Sequence, residues 1–289
     1  MANVDKIIIK EEYSLKNHTT MQLPCTAKFF VIAEDYDSLK QAVTFAVDNN
    51  FPILTIGGGS NIIFTMDYYN GLVIRLGGDF DSISQMNENE IEVGAGLSLS
   101  KLLNHCKING LGGLEFLAGI PGTIGGSIMG NAGAGGWGLC DFVEAVSGID
   151  FDGNLVVLKK GEFQYDYRYT SIKNMIICSA IMRLEPTPRK TIDENIKKYM
   201  LKRQHQPAGV KSAGCIFKNI KIISAGKLID DAGLKGYRIG GAVVSDKHAN
   251  FIINDGTASA QDVLDIIEHI RRIIYSKYQY KLQLEVELV

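Results

Sequence analysis

The chain has 289 residues, 46% of them hydrophobic and 21% charged, with a net charge of −2 at neutral pH. That length supports two or three domains with real cores, and the near-neutral balance gives no electrostatic footing for nucleic acid or a membrane surface. The apolar runs are too short to span a bilayer, the N-terminus sets Asp5, Lys6, Glu11 and Glu12 around only Ile7–Ile9 and reads as no leader, and five scattered cysteines without a C-x-x-C pair argue for no metal, no disulfide framework and a reducing cytoplasm.

Residues 29–33 read as a strand. A helix is expected over 37–48, capped by Asp35 or Asp37, with Leu39, Ala42, Val43, Ala46 and Val47 inward. Residues 53–56 form a short buried strand, completing a small α/β unit over 20–75. A further strand at 91–93 precedes a helix opened by Ser98, with Leu99, Leu102, Leu103 and Cys106 inward. After a glycine-rich stretch, a turn at Asp152-Gly153 leads into a strand at 154–158, and 175–184 alternates loosely as another. Thr191 with Glu194 predicts a capping box and a helix to about Gln206. Ser224 caps a helix with Leu228, Ile229 and Ala232 inward. Ser259 caps a longer one, with Val263, Ile266, Ile267, Ile270 and Ile274 on one face. Residues 281–289 alternate as a terminal strand. The class expected is α+β in three modules.

The glycines carry the functional signal. Twelve of the 29 residues from Gly110 to Gly138 are glycine, interleaved with Leu111, Leu114, Phe116, Leu117, Ile120, Ile124 and Met129. Apolar spacers mark a packed segment and not a flexible linker. A second cluster, Gly57-Gly58-Gly59-Ser60-Asn61, follows a strand, where successive N–H groups can form an anion nest. A tight turn is the plain alternative for this loop alone, which is neither a G-x-G-x-x-G nor a Walker motif. Two ordered glycine loops point to one large ligand approached by backbone at two places, and a dinucleotide such as FAD suits that.

These loops, with Leu117-Ala118-Gly119-Ile120-Pro121-Gly122-Thr123-Ile124-Gly125-Gly126 and Asn131-Ala132-Gly133, strongly resemble the UDP-N-acetylenolpyruvoylglucosamine reductase family. So do His18-Thr19-Thr20, Tyr167-Arg168, Arg203 with Gln206-Pro207, the segment Ser212-Ala213-Gly214-Cys215-Ile216-Phe217-Lys218-Asn219, and Val244-Ser245 with His248-Ala249-Asn250-Phe251-Ile252. The resemblance runs nearly the full length. It implies non-covalent FAD in the two-module fold of vanillyl-alcohol-oxidase-type flavoproteins, with a smaller α/β substrate domain. The division it implies is 1–75 and 76–207 for FAD, the latter with the strand 279–289, and 208–278 for substrate. It further implies NADPH as reductant, hydride transfer from the reduced flavin to an enolpyruvyl methylene, and UDP-N-acetylmuramate as product, in a monomeric cytoplasmic enzyme. The span from Arg168 to Pro207 is short, as in the family type without an extra substrate-covering loop.

Residue by residue, the resemblance places FAD on Gly57, Gly58, Gly59, Ser60, Asn61, Gly119, Ile120, Pro121, Gly122, Thr123, Gly125, Gly126, Asn131, Ala132 and Gly133. It places substrate on Tyr167, Lys218 and Asn219, and catalysis on Arg168, Cys215 and Glu285. The chemistry fits these types. Hydride addition leaves charge over carbon 2 and its carboxylate, which an arginine fork stabilises. A surface arginine paired with Asp166 is the alternative for Arg168. Carbon 2 needs a proton donor, and Cys215 stands where the family has serine. A thiol is the more acidic donor, whereas a small buried hydrophobe is the common alternative. Glu285 matches the family's C-terminal glutamate, and Glu287, two residues on, would share its strand face. His205 stands where lysine or threonine is common, Ile220 where proline is, and His248 reads as structural. Two rival functions remain: an FAD-dependent alcohol oxidase, which would not need Arg168, Cys215 and Glu285 together, and a non-enzymatic flavin- or nucleotide-binding module.

Overall fold

A computed structural model of the protein describes residues 7–220 and 223–289, so Asp5 and Lys6 lie outside the described residues. By contacts the chain forms two units. The first comprises the chain up to Glu12, Lys28–Gly58 and Asn70–Arg203; the second comprises Tyr13–Ala27, Gly59–Tyr69 and Gln204–Val289.

The first unit is built on two sheets. One has four strands in the order Lys10–Ser14, Thr26–Ala33, Tyr68–Leu76, Ile53–Thr55, the last pair parallel. Helix α1 (Tyr36–Asp48) covers it. Asp35 caps α1 by accepting from the Ser38 N–H at 2.7 Å, and Leu39, Ala42, Val43 and Ala46 are fully buried with Val31, Ala33, Leu72 and Ile74. Val47, expected inward, is 47% exposed: the helix buries a stripe too narrow to include it. The other sheet is antiparallel, in the order Leu155–Lys159, Val143–Asp150, Met175–Arg183, Glu90–Gly94, Ile83–Gln85. The strand Met175–Arg183 explains its loose alternation. Ile176 and Cys178 join the core beneath α1, while Met175 and Ile177 join the larger core on the opposite face. A strand buried on both faces has no polar side to alternate with.

That larger core holds helix α2 (Leu99–Asn109), capped by Ser98 and closed by Gly110 at φ 68°, and the short helix α3 (Ile124–Met129). Helix α4 (Arg189–Lys202) begins after Pro188, whose restricted φ suits a helix start. The expected Thr191–Glu194 box is therefore not its cap: both residues lie inside the first turns, and the helix ends at Lys202, short of Gln206.

The second unit packs helices α5 (Ala225–Asp231) and α6 (Ala260–Tyr278) against a three-stranded antiparallel sheet, Arg238–Ile239, Ala242–Val244, Ile252–Asn254. Ser224 and Ser259 cap the helices as the sequence predicts, the latter in a capping box with Asp262. Val263, Ile266, Ile267, Ile270 and Ile274 are buried to within 1%. Each contributes about 1.5–3 kcal/mol by leaving water.

The C-terminal segment departs from the continuous strand expected. Only Glu287–Leu288 is regular, paired in parallel with Ile62–Ile63; Leu284 bridges Phe217, and bends at 285–286 interrupt the run. Residues 279–289 fall within the second unit, where the sequence division attached them to 76–207. These pairings hold them there.

Candidate active site

In the first unit the two glycine loops meet backbone to backbone. A Cβ on Gly58 would stand 2.9 Å from the Gly122 Cα, and one on Gly57 would strike the Thr123 hydroxyl. Only glycine allows this approach. The second loop is stapled to its surroundings by Leu99 N–H to the Gly122 carbonyl (3.1 Å), Ile124 N–H to Leu97 (2.9 Å) and Gly125 N–H to Ala95 (2.9 Å). Gly122, at φ 136°, turns the chain into α3. Among the described residues, the N–H groups of Gly57, Gly58 and Thr123 donate to no protein acceptor, and all three residues are at least partly exposed. A cluster of unclaimed backbone donors beside positions that tolerate no side chain suits the diphosphate of FAD.

The segment Asn131-Ala132-Gly133 follows. Asn131 is buried and left-handed at φ 38°. Its Nδ2 donates to the Asp166 carbonyl at 2.9 Å, and its Oδ1 accepts from the Cys140 N–H at 3.0 Å. Its carbonyl and that of Gly133 receive the Arg168 guanidinium, from Nη1 at 3.4 Å and Nη2 at 3.2 Å. Arg168 and Tyr167 form the two-residue turn of a hairpin pairing Tyr165–Asp166 with Tyr169–Thr170. Arg168 holds φ 56°, an uncommon conformation for a side chain of its size, and its guanidinium carbon lies 5.2 Å from the Tyr167 ring centre. The half-buried fork is thus anchored on the second glycine segment.

The first glycine loop passes into the second unit between Gly58 and Gly59. Gly59 is at φ 60°, and a Cβ there would overlap the His18 carbonyl. Thr20, whose functional value the sequence left unassigned, ties two segments together: its N–H donates to the Gly59 carbonyl at 3.0 Å and its hydroxyl to the Ser212 carbonyl at 2.6 Å. Gly214 (φ 81°) turns the chain into Cys215, which bridges Phe251. Asn250, buried, holds the following turn with both side-chain atoms: Oδ1 accepts from the Phe217 N–H at 3.0 Å and Nδ2 donates to the Phe217 carbonyl at 2.8 Å. The only sequence signal for this brace was its motif, residues 248–252.

The segments that carry Cys215 and Glu285 are joined through backbone in this unit. The Glu285 N–H donates to the Ile216 carbonyl at 2.8 Å, Asn61 Nδ2 donates to the Glu285 carbonyl at 3.2 Å, and the Glu287 N–H donates to the Asn61 carbonyl at 2.8 Å. Asn61 therefore straddles the two glutamates. Glu285 is half-buried, while Glu287 is exposed. Lys218 bonds Gln283 through its backbone, and the Asn219 Oδ1 accepts the Ala225 N–H at 3.0 Å, fixing the start of α5. Cys215 is the one cysteine of five that is not buried. Burial pushes the Cys25 thiol up to about 11 and those of Cys106, Cys140 and Cys178 up to about 12. Burial also pushes the His248 imidazole below its ordinary value. Its Nδ1 accepts from the Asn250 N–H at 3.3 Å, so it is a neutral structural group. Among the described residues no cluster of His, Cys, Asp or Glu is placed to hold a metal, and no helix is long and apolar enough to cross a membrane.

Comparison with known proteins adds an independent observation. Residues 206–289 match the profile described as UDP-N-acetylenolpyruvoylglucosamine reductase, C-terminal domain, and residues 27–159 match an FAD binding domain. UDP-N-acetylenolpyruvoylglucosamine reductase 2 of Symbiobacterium thermophilum is 36% identical over 97% of this chain and 92% of its own. The corresponding reductases of Anoxybacillus flavithermus and Bacillus subtilis are 37% and 34% identical, over 97% and 99% of this chain and 94% and 95% of theirs. The crystal structure of UDP-N-acetylenolpyruvylglucosamine reductase from Thermus caldophilus superposes with a TM-score of 0.85 at 33% identity, covering 98% of both chains.

Proposed function

The chain belongs to the UDP-N-acetylenolpyruvoylglucosamine reductase family, and on that premise we propose how its own residues divide the reaction. It is an FAD-dependent oxidoreductase that reduces UDP-N-acetylglucosamine enolpyruvate to UDP-N-acetylmuramate in peptidoglycan precursor synthesis, with NADPH as reductant. The fold class expected from the sequence, a two-module FAD-binding portion with a smaller substrate domain, is the fold of this family.

Gly57–Asn61, Gly119–Thr123, Gly125, Gly126 and Asn131–Gly133 would hold FAD, which when reduced by NADPH would supply the hydride for the enolpyruvyl double bond. The residues do the rest. Arg168 holds the enolpyruvyl carboxylate and stabilises the negative charge that develops over carbon 2. An arginine has five N–H donors, enough to hold two carbonyls and a carboxylate at once. Cys215 delivers the proton to carbon 2 from its thiol, leaving a thiolate. Glu285, bonded one residue away, assists that transfer. Tyr167, Lys218 and Asn219 position the substrate. The substrate and NADPH are the partners assigned; no nucleic acid or membrane is. We take the enzyme to be a monomer acting in the cytoplasm.

The observation that supports the residue assignment is the backbone bond between Glu285 and Ile216, the residue after Cys215. The test is spectroscopic. Flavin absorbance should bleach anaerobically on adding NADPH and recover on adding UDP-N-acetylglucosamine enolpyruvate. Recovery with the enolpyruvyl substrate that survives in both Cys215→Ala and Glu285→Gln would overturn it.

A further inference from the structure

The chain has a single tryptophan, Trp137, and it is 55% exposed. Tryptophan is usually well buried, so an open indole calls for an explanation. This one is held rigidly. It lies on a hairpin pairing Gly133–Ala134 with Trp137–Gly138, turned by Gly135 and Gly136 at φ 67° and 93°. A Cβ on Gly133 would strike the Trp137 carbonyl, and one on Gly138 would strike the Asn131 side chain. The Gly138 N–H is tied to the Asp141 carboxylate at 2.8 Å. The indole leans on Phe142 (5.9 Å between centres), which stacks at 5.8 Å on buried Phe116. The ring is supported from inside and open outside.

The same hairpin carries the anchor of Arg168: the Gly133 carbonyl receives its Nη2 at 3.2 Å. Trp137 pairs with Ala134, the residue next to Gly133, and Gly138 pairs with Gly133 itself. We propose that the open face of Trp137 is a stacking platform for the pyranose ring of the substrate's hexosamine. The inference rests on the reading that Arg168 holds the enolpyruvyl carboxylate. The enolpyruvyl group is joined to the sugar through one ether oxygen, so the sugar is the part of the substrate within a ring's width of the guanidinium. The uracil is separated from it by a diphosphate and a ribose. A pyranose presents a face of C–H groups, which gains dispersion contacts on an aromatic plane, and aromatic side chains commonly line such sites.

The test is calorimetric titration of the FAD-loaded protein with UDP-N-acetylglucosamine and with UDP. Trp137→Ala should weaken the sugar nucleotide about five- to tenfold and leave UDP unchanged, while Trp137→Phe retains most of the affinity. An unchanged affinity for UDP-N-acetylglucosamine in Trp137→Ala overturns the proposal. So does an equal loss for UDP, which would put the base on the ring. Should the variants lose flavin, the wild-type protein still decides: its lone indole emission should shift with UDP-N-acetylglucosamine and not with UDP, and an unmoved emission overturns the proposal. Neither ligand carries the enolpyruvyl carboxylate, so failure here is distinct from failure of the Arg168 assignment, which an Arg168→Ala reoxidation rate judges.

Discussion

The backbone of Glu285 is bonded to the carbonyl of Ile216 at 2.8 Å, which sets a carboxylate-bearing residue beside the chain position of Cys215. Glu287 has no such place. The bends at 285–286 break the strand between the two glutamates, and Glu287 pairs with the Ile62–Ile63 strand and is exposed. Glu285→Gln should slow reoxidation of reduced flavin by substrate severely while leaving reduction by NADPH near normal, and Glu287→Gln should behave as wild type. Stopped-flow absorbance in the two half-reactions checks this. The reverse ranking would move the assisting carboxylate to Glu287.

Cys215 as proton donor makes a graded prediction. Removing a general acid costs typically ~10²–10⁴-fold. Cys215→Ala should lose activity in that range, confined to the oxidative half-reaction. Cys215→Ser, which restores a hydroxyl donor, should recover much of it. Equal rates for wild type and Cys215→Ala would remove the thiol from the mechanism.

Burial separates the cysteines chemically. Only the thiolate reacts with an alkylating reagent. With burial holding Cys25 up to about 11 and Cys106, Cys140 and Cys178 up to about 12, these four remain protonated, and so unreactive, at all pH values up to about 9. They would ionise only as pH rises through those values. Native protein at pH 8 should therefore take up one equivalent of iodoacetamide, and Cys215→Ser none. Mass spectrometry of the digested product reports the site, and rapid labelling of a second cysteine in the folded protein would contradict the burial described.

The sequence was most legible where periodicity and caps agree. Asp35, Ser98, Ser224 and Ser259 each start a helix, because a short polar side chain satisfying orphan N–H groups is a local cause with a local signature. Thr191 failed as a cap because Pro188 had already fixed the helix start upstream. The terminal residues failed as a continuous strand because their partners, Ile62–Ile63 and Phe217, are distant in sequence and take them up at separate points. The glycine loops were legible as packed segments, but their mutual contact at Gly58 and Gly122 was not, since a glycine says only that something comes close and not what. Thr20 and Asn250 tie segments together through tertiary placement, and the sequence marked them only as members of the motifs 18–20 and 248–252.

Arg168 is held by the carbonyls of Asn131 and Gly133, so the role proposed for it uses the fork and not charge alone. Lysine offers a point charge without the bidentate geometry. Arg168→Lys should therefore recover little of what Arg168→Ala loses in substrate-driven reoxidation, and both should retain flavin. Near-normal rates in Arg168→Lys would reduce the arginine to a counter-charge.

The sharpest test of the flavin cradle is Gly126. It lies in helix α3, exposed, and a Cβ there would meet nothing in the protein nearer than the Thr123 hydroxyl at 3.7 Å. On protein grounds alone Gly126→Ala is favourable, since alanine in a helix interior is preferred to glycine by roughly 0.5–1 kcal/mol. If FAD occupies the space above that backbone, the methyl group intrudes on the ligand. The expected outcome is a split: the flavin-free variant melts at or above the temperature of flavin-free wild type, yet binds FAD more weakly by fluorescence titration. Gly58→Val should lose FAD as well, but with lower stability, because its side chain would press on the Gly122 backbone 2.9 Å from the Cβ position. Undiminished FAD affinity in Gly126→Ala would exclude the face of α3 at Gly126 from the cofactor site.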